Sequence, residues 1–320
     1  TYAGITDVNA GTLTIASDTA LGSIATPGSA TNVSGGAILA LQDGITSGER
    51  VILFNNASLT NNSSTNTLSN LLLVEHDING PGAGQKMARI GALDGQLNLT
   101  GGIDDHAARF SSNPEMNLAL NTGANDNGTV HIDSVIDSSI RDITIGRATN
   151  NSSTSGTVIL SGNNQHSGDT FLDGGPVRLG NDGNNSRAFG NSAITVNNSN
   201  HLTGAATGPG AHLLNAINLN AGSTLNTQDS MGLGGNISGA GSLTVATGTL
   251  TLYGNSYNIL SGATTVAAGA TLNTLNSERI SDSSVLTVDG ILSLGGNETI
   301  GDLSGAATGT IDNNGNDLTV

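Results

Sequence analysis

The sequence predicts an all-β chain wound as a right-handed parallel β-helix (β-solenoid). Three observations carry that prediction: short alternating strands recur from end to end, small residues mark nearly every junction, and one glycine spacing occurs three times. Composition sets the frame. Of 320 residues, 46 are glycine, aromatics make up 2% and tryptophan is absent. A deep globular core needs large side chains, whereas Val, Ile, Leu and Ala fill a thin core a few side chains wide. Disorder is the rival reading, but hydrophobic residues reach 36% and come in regular short groups.

Taken in order, the strands begin with GTLTI at Gly11–Ile15, AILAL at Ala37–Leu41, VILF at Val51–Phe54 and LLLV at Leu71–Val74. QLNLT (96–100), 117–120, TVHID (129–133), DITIG (142–146) and TVIL (157–160) follow. The series continues through 176–179, AITV (193–196), AINLN (216–220), GSLTV (241–245), GTLTL (248–252) and ATTV (263–266). It closes with ATLN (270–273), VLTV (285–288), ILSL (291–294) and 318–320. Alternation with period two, rich in Thr, Val, Ile and Leu, is the strand signal, and the Gly, Asn, Asp and Ser between runs are turn chemistry. No segment holds a helical period over eleven residues. The best helical candidate is DDHAARF (104–110), enough for one or two turns.

Self-similarity selects the solenoid over a sandwich or barrel. Gly4 to Gly11, Gly168 to Gly175 and Gly262 to Gly269 share a seven-residue spacing, each enclosing Thr and an apolar residue before the next strand. The first two copies close with matching tails, Ala20-Leu21-Gly22 and Ala188-Phe189-Gly190. A unit that cannot bury its own apolar face must stack on its neighbours. At roughly 20 to 24 residues per coil the chain forms about 13 to 16 coils, ~60–75 Å long. Asn and Thr at equivalent turns are expected to stack as hydrogen-bonded ladders. The whole chain, 1–320, reads as one β-helix segment. A loop insertion is expected at 76–92, where Pro81, Lys86, Met87 and Arg89 break the rhythm, with smaller excursions near 104–115 and 181–192.

These repeats resemble the passenger-associated transport repeat, also called the autotransporter-associated β-strand repeat. Gly4, Thr6, Val8, Gly11, Thr12, Leu13 and Ala20-Leu21-Gly22 fall on its pattern, and Gly262, Thr264, Val266, Gly269 and Leu272 repeat it. The second copy departs, with Phe171 and Leu172 bracketing the Val position and Pro176 interrupting the Gly-Thr-Leu segment. The motif covers about a fifth of the chain. The resemblance implies an autotransporter passenger domain of type V secretion. Such a segment lies outside the cell or on its surface, attached to the bacterial outer membrane or released, with a C-terminal outer-membrane β-barrel beyond this chain. No run of amphipathic barrel strands occurs here. Absence of cysteine suits a chain that crosses the periplasm unfolded.

Charge narrows the partners. Asp plus Glu number 25 against 9 Lys plus Arg, the single lysine being Lys86, so no basic patch exists for nucleic acid. No apolar run of 18 residues exists to insert in a membrane. Partners compatible with the sequence are a second copy, end to end or side by side, and a host-cell, matrix or glycan surface.

Chemistry is sparse, and no catalytic, cofactor-binding or metal-binding residue is assigned. A serine hydrolase needs a nucleophile motif, and Gly168-Asp169-Thr170 is not one. A carbohydrate-active β-helix needs paired carboxylates lining a groove. Asp104, Asp105, His106 and Arg109 form the dense polar cluster, and Asp133, Asp137, Arg141 and Asp142 a looser one. Both read better as solvated loops, with no Trp and only Tyr2, Tyr253 and Tyr257 as sugar platforms. The glycine pairs at Gly234-Gly235-Asn236 and Gly295-Gly296-Asn297 lack the Asp of calcium-binding repeats, and the six histidines lack ligand spacing.

The expected function is therefore a non-catalytic structural or adhesin-like β-helix that projects or self-associates. Two alternatives remain: a unit of a fibre built by head-to-tail stacking, and a carbohydrate-active enzyme. Thr1 and Val320 both fall in mid-pattern, so the repeats are expected to continue beyond both.

Overall fold

A computed structural model describes residues 4–22, 29–75, 87–105, 116–147, 156–180, 187–204, 211–254 and 259–320. Among them the regular elements are all β-strands, stacked in parallel in every sheet. One coil shows the path. The chain runs through Val51–Phe54, Ser58–Asn61 and Thr65–Leu68, then returns in Leu72–Glu75, which pairs in parallel on Val51–Phe54. This is a parallel β-helix with three faces.

The first face is an eleven-stranded sheet from Thr12–Ile15 to Ile259–Leu260, and the second a twelve-stranded sheet from Thr46–Ser47 to Asp302–Ser304. Twelve strands at the usual inter-strand spacing extend about 53 Å. The third face is split. Five strands cover it from Thr6–Val8 to Ile103–Asp105, and six from Ala211–Leu213 to Thr310–Asp312. Between them, among the described residues, only the bridge from Ile103 to Ile136 continues it. Past the last strand of the first-face sheet, the Glu298 carboxylate accepts from the Arg279 amide (2.8 Å) and the Ile280 amide (3.0 Å), and Glu298–Thr299 pairs in parallel with Leu318–Thr319.

Inward residues align into columns because the pleat repeats every two residues and parallel register is kept from coil to coil. On the first face Leu39, Leu59, Ile90, Leu120, Ile145, Leu172, Val196 and Leu219 stack in one line. On the second, Leu97, Val130, Val158, Val177, Leu202, Thr227, Val245, Val266 and Val288 do the same. These side chains belong to one continuous core, save Thr227, which is also buried.

The three glycine-spaced copies sit at three different corners. Gly4–Gly11 spans the turn from the third face to the first, Gly168–Gly175 from the first to the second, and Gly262–Gly269 from the second to the third. The spacing thus reports a common corner rather than a common place in the coil. The second glycine of each copy has φ of 71°, 88° and 80° respectively, the left-handed region that glycine occupies without strain. Gly262 has another reason: a Cβ there would collide with the carbonyl oxygen of Gly241 in the coil below. The matching tails are also structural equivalents. Gly22 and Gly190 donate to the carbonyls of Thr19 (3.1 Å) and Arg187 (3.0 Å), and these turns bury Leu21 and Phe189.

The expected loops need correction. Residues 76–86 lie outside the described residues, but Met87–Ala92 is a strand paired with Ser58–Asn61 and Met116–Leu120. Ala88, Ile90 and Ala92 alternate inward; two small alanines and an outward arginine hide the pattern in the sequence. Ile103–Asp105 is a strand, which removes the start of the proposed helix and of the 104–115 excursion; 106–115 lie outside the described residues. Of the 181–192 excursion, 181–186 lie outside them, while Ala188 and Phe189 are buried. They fill the core where the third face has no strand.

Asparagine plays two parts. An outward ladder forms where Asn220 Nδ2 donates to Asn197 Oδ1 and Asn197 Nδ2 to Asp173 Oδ1, both at 2.6 Å. The buried asparagines instead serve the backbone of neighbouring coils. Asn164 accepts from the Ile136 amide (2.9 Å) and donates to the Ala188 carbonyl (2.6 Å).

Candidate functional site

The sequence clusters are redistributed by the coil. Asp104 and Asp105 share a strand, so one faces out and the other, Asp105, is buried; the solvated-loop reading fails for it because it continues the inward column of Val8, Val33, Leu53 and Val74. His106 and Arg109 lie outside the described residues. Asp133 follows a second-face strand, Asp137 lies past the next corner, and Arg141 and Asp142 stand on the first face with their side chains 3.5 Å apart. Thr170 of Gly168-Asp169-Thr170 points into the core and bonds buried His166 Nε2 at 2.9 Å. Among the described residues no group of three His, Asp or Glu gathers as a metal site.

What the coil does assemble is a pair of adjoining grooves on and beside the second face. One, of about 390 Å³, is lined by Gln96, His131, Asp133, Ile159, Ser161 and Arg178. Strand parity explains the set. In Thr129–Ile132, Val130 and Ile132 are buried and His131 faces out; Asp133, next after the strand, is exposed. Register stacks His131 under Ile159 and Ile159 under Arg178. The same register puts Ser161 above Asp133 and below Gly180, with the Ser161 amide donating to the Ile132 carbonyl at 3.0 Å.

His131 reaches diagonally across this lattice, and its Nε2 lies 2.8 Å from Ser161 Oγ. Burial pushes the imidazole below its ordinary value; the Asp133 carboxylate opposes that shift and the Arg178 guanidinium adds to it. The ring is therefore neutral at neutral pH, with one nitrogen free to accept a proton. Gly180 makes room for the serine, since a Cβ there would collide with Ser161 Oγ.

The second groove, of about 410 Å³, has Asp104, Asp133 and Asp137 among its lining residues, with Thr100 and Ser134. Ser139 ties two of these carboxylates to the coil wall: its hydroxyl donates to Asp104 Oδ1 and its amide to Asp137 Oδ1, both at 2.9 Å. Asp133 belongs to both grooves.

Reading the sequence found Asp104, Asp133 and Asp137 but missed His131, Ser161 and Arg178. TVHID does carry a signal, because period two places His131 and Asp133 on one outward face. Ser161 lies 30 residues further on and joins them only once the coil length at that point is known. Compared with protein-family models, with curated proteins and with solved structures, the chain finds no match.

Proposed function

We propose that this chain is an extracellular β-helix of the autotransporter-passenger kind, a structural or adhesin-like rod that projects from, or associates at, a bacterial surface. One observation carries the reading: aliphatic columns run unbroken through eight successive first-face coils, so most of the sequence is committed to building length. Outward strand positions such as Asn98, Thr195, Asn218 and Thr244 carry hydroxyl or amide groups, suited to water and to polar surfaces such as glycans or matrix. In this reading an outer-membrane β-barrel outside the chain carries it across the membrane. In the fibre version, second copies stack end to end and pair strand to strand along the axis.

Immunogold labelling of intact and lysed bacteria that produce the protein tests this. Label on the surface of intact cells, with rods in micrographs of the purified chain, is the expected result. Label confined to lysed cells overturns it.

A second reading, a carbohydrate-active β-helix, is favoured by the three aspartates lining one groove. Release of reducing ends from a polysaccharide panel, abolished by Asp133→Asn, would establish it. A panel without cleavage by the folded chain removes it.

A further inference from the structure

The geometry points to an acyl-transfer site in the second-face groove: Ser161 as nucleophile, His131 as its general base, and a short-chain carboxylic ester as substrate. This goes beyond the structural reading, since it adds chemistry to the side of the rod.

Five features support it. The serine Oγ and the imidazole Nε2 are already 2.8 Å apart, the distance a base needs to take the hydroxyl proton. Burial keeps the imidazole neutral, and Asp133 lies close enough for its charge to favour the imidazolium once it forms; an acid beside the base stabilises that cation. Arg178, one strand beyond Ile159, lines the same groove and supplies positive charge where a carbonyl oxygen would become negative. Ser161 is only 6% exposed yet lines the groove, so its hydroxyl is largely withdrawn from bulk water. The single aliphatic side chain of the lining, Ile159, suits a short acyl group and not a long chain.

The step balances without a further reagent. With the ring protonated at Nδ1, Ser161 Oγ adds to the ester carbonyl carbon while its proton passes to His131 Nε2. The tetrahedral species collapses, the ester C–O bond breaks, and the departing alkoxide takes that proton to leave as the alcohol. Water then adds to the acyl-serine through the same imidazole, releasing the carboxylic acid and restoring Ser161.

The test is labelling with a fluorophosphonate probe, with the site mapped by peptide mass, alongside hydrolysis of p-nitrophenyl acetate. Label is expected on Ser161, lost in Ser161→Ala and slowed on the order of 100-fold in His131→Gln. The rate should fall only when the pH drops below the ordinary histidine range. Three results each overturn the proposal: no label at a probe concentration that saturates a control serine hydrolase, label elsewhere in the chain, or label on Ser161 unchanged by His131→Gln. Mapping on the unaltered protein decides the matter even if a variant fails to fold. Rods on the cell surface that do not label would sink this site and leave the structural reading standing.

Discussion

The middle of the rod and its C-terminal stretch are wound from the same alphabet but solve the backbone problem differently. In the middle the coils vary in length, and the longest join residues 28 to 36 apart through hydrogen bonds: Ile136 with Asn164, Asp105 with Ser139, Asn121 with Thr157. Between residues 217 and 290 they join residues 17 to 25 apart, as in Thr227 with Thr244, Ser238 with Ile217 and Arg279 with Gly254. The buried polar residues differ too. The middle buries Asp105, Asn121, Asn164 and His166, whereas among the described residues of 217–290 the buried polar side chains are the hydroxyls of Ser223, Thr227, Thr264, Thr274, Ser281 and Ser284, with Arg279. An unpaired buried backbone group is costly. Where the third face lacks a strand, Asn164 takes up such groups, as Asn61 and Asn66 do at a corner of the N-terminal coils.

Deleting one rung from each region tests whether these solutions are worth the same. Asn164→Ala strands the Ile136 amide and the Ala188 carbonyl together and should cost about 3–4 kcal/mol. Leu250→Ala removes a buried rung between Met231 and Leu272 and should cost about 3 kcal/mol. Urea unfolding of both variants measures the pair. An Asn164→Ala loss below about 1 kcal/mol would show that the middle relaxes around its missing strand.

His166 gives the middle an acid sensitivity. Burial pushes its imidazole down to about 4 from an ordinary 6.5. Between those values the unfolded chain binds a proton that the folded chain refuses, so stability declines as pH falls through that window. The full contribution is about 3 kcal/mol, present above pH 6.5 and gone near pH 4. Urea midpoints measured across that range should fall more steeply for the native chain than for His166→Gln, which can still bond Thr170. Parallel curves for the two chains would contradict the assignment.

The corner glycines separate two effects inside one repeat. At Gly262 an added methyl meets the Gly241 carbonyl, and at Gly269, where nothing lies within 4 Å, it meets only an unfavourable φ of 80°. Gly262→Ala should cost about 2–3 kcal/mol as overpacking, and Gly269→Ala about 1 kcal/mol as backbone strain. Thermal unfolding of the two variants ranks them, and a larger loss at Gly269 would reverse the argument.

The solenoid was legible because its signals are local. Alternation in TVIL or GTLTL marks a strand without knowledge of its neighbours, and the glycine spacing marks a corner wherever it falls. The same locality explains the misreadings. Met87–Ala92 reads as a loop because its inward residues are mostly alanine, and Asp105 reads as solvated because nothing nearby shows that the strand continues the core. The groove was half legible: the aspartates announce themselves, but Ser161 meets His131 only through coil lengths of 28 and 19 residues on either side of its strand, lengths that turn chemistry does not encode.

The outward ladder should matter least, and the reason lies in what water can replace. Asp173, Asn197 and Asn220 occupy successive coils of the first face, each just past its strand, and are joined by two bonds of 2.6 Å. Asn197→Ala breaks both, yet Asp173 and Asn220 are only half-buried or exposed, so water takes over their freed groups. The net loss should be about 0.5–1 kcal/mol, well below that of Asn164→Ala although each change removes two side-chain hydrogen bonds. Equal losses at the two positions would mean that hydrogen-bond number, and not burial, governs how asparagine holds these coils together.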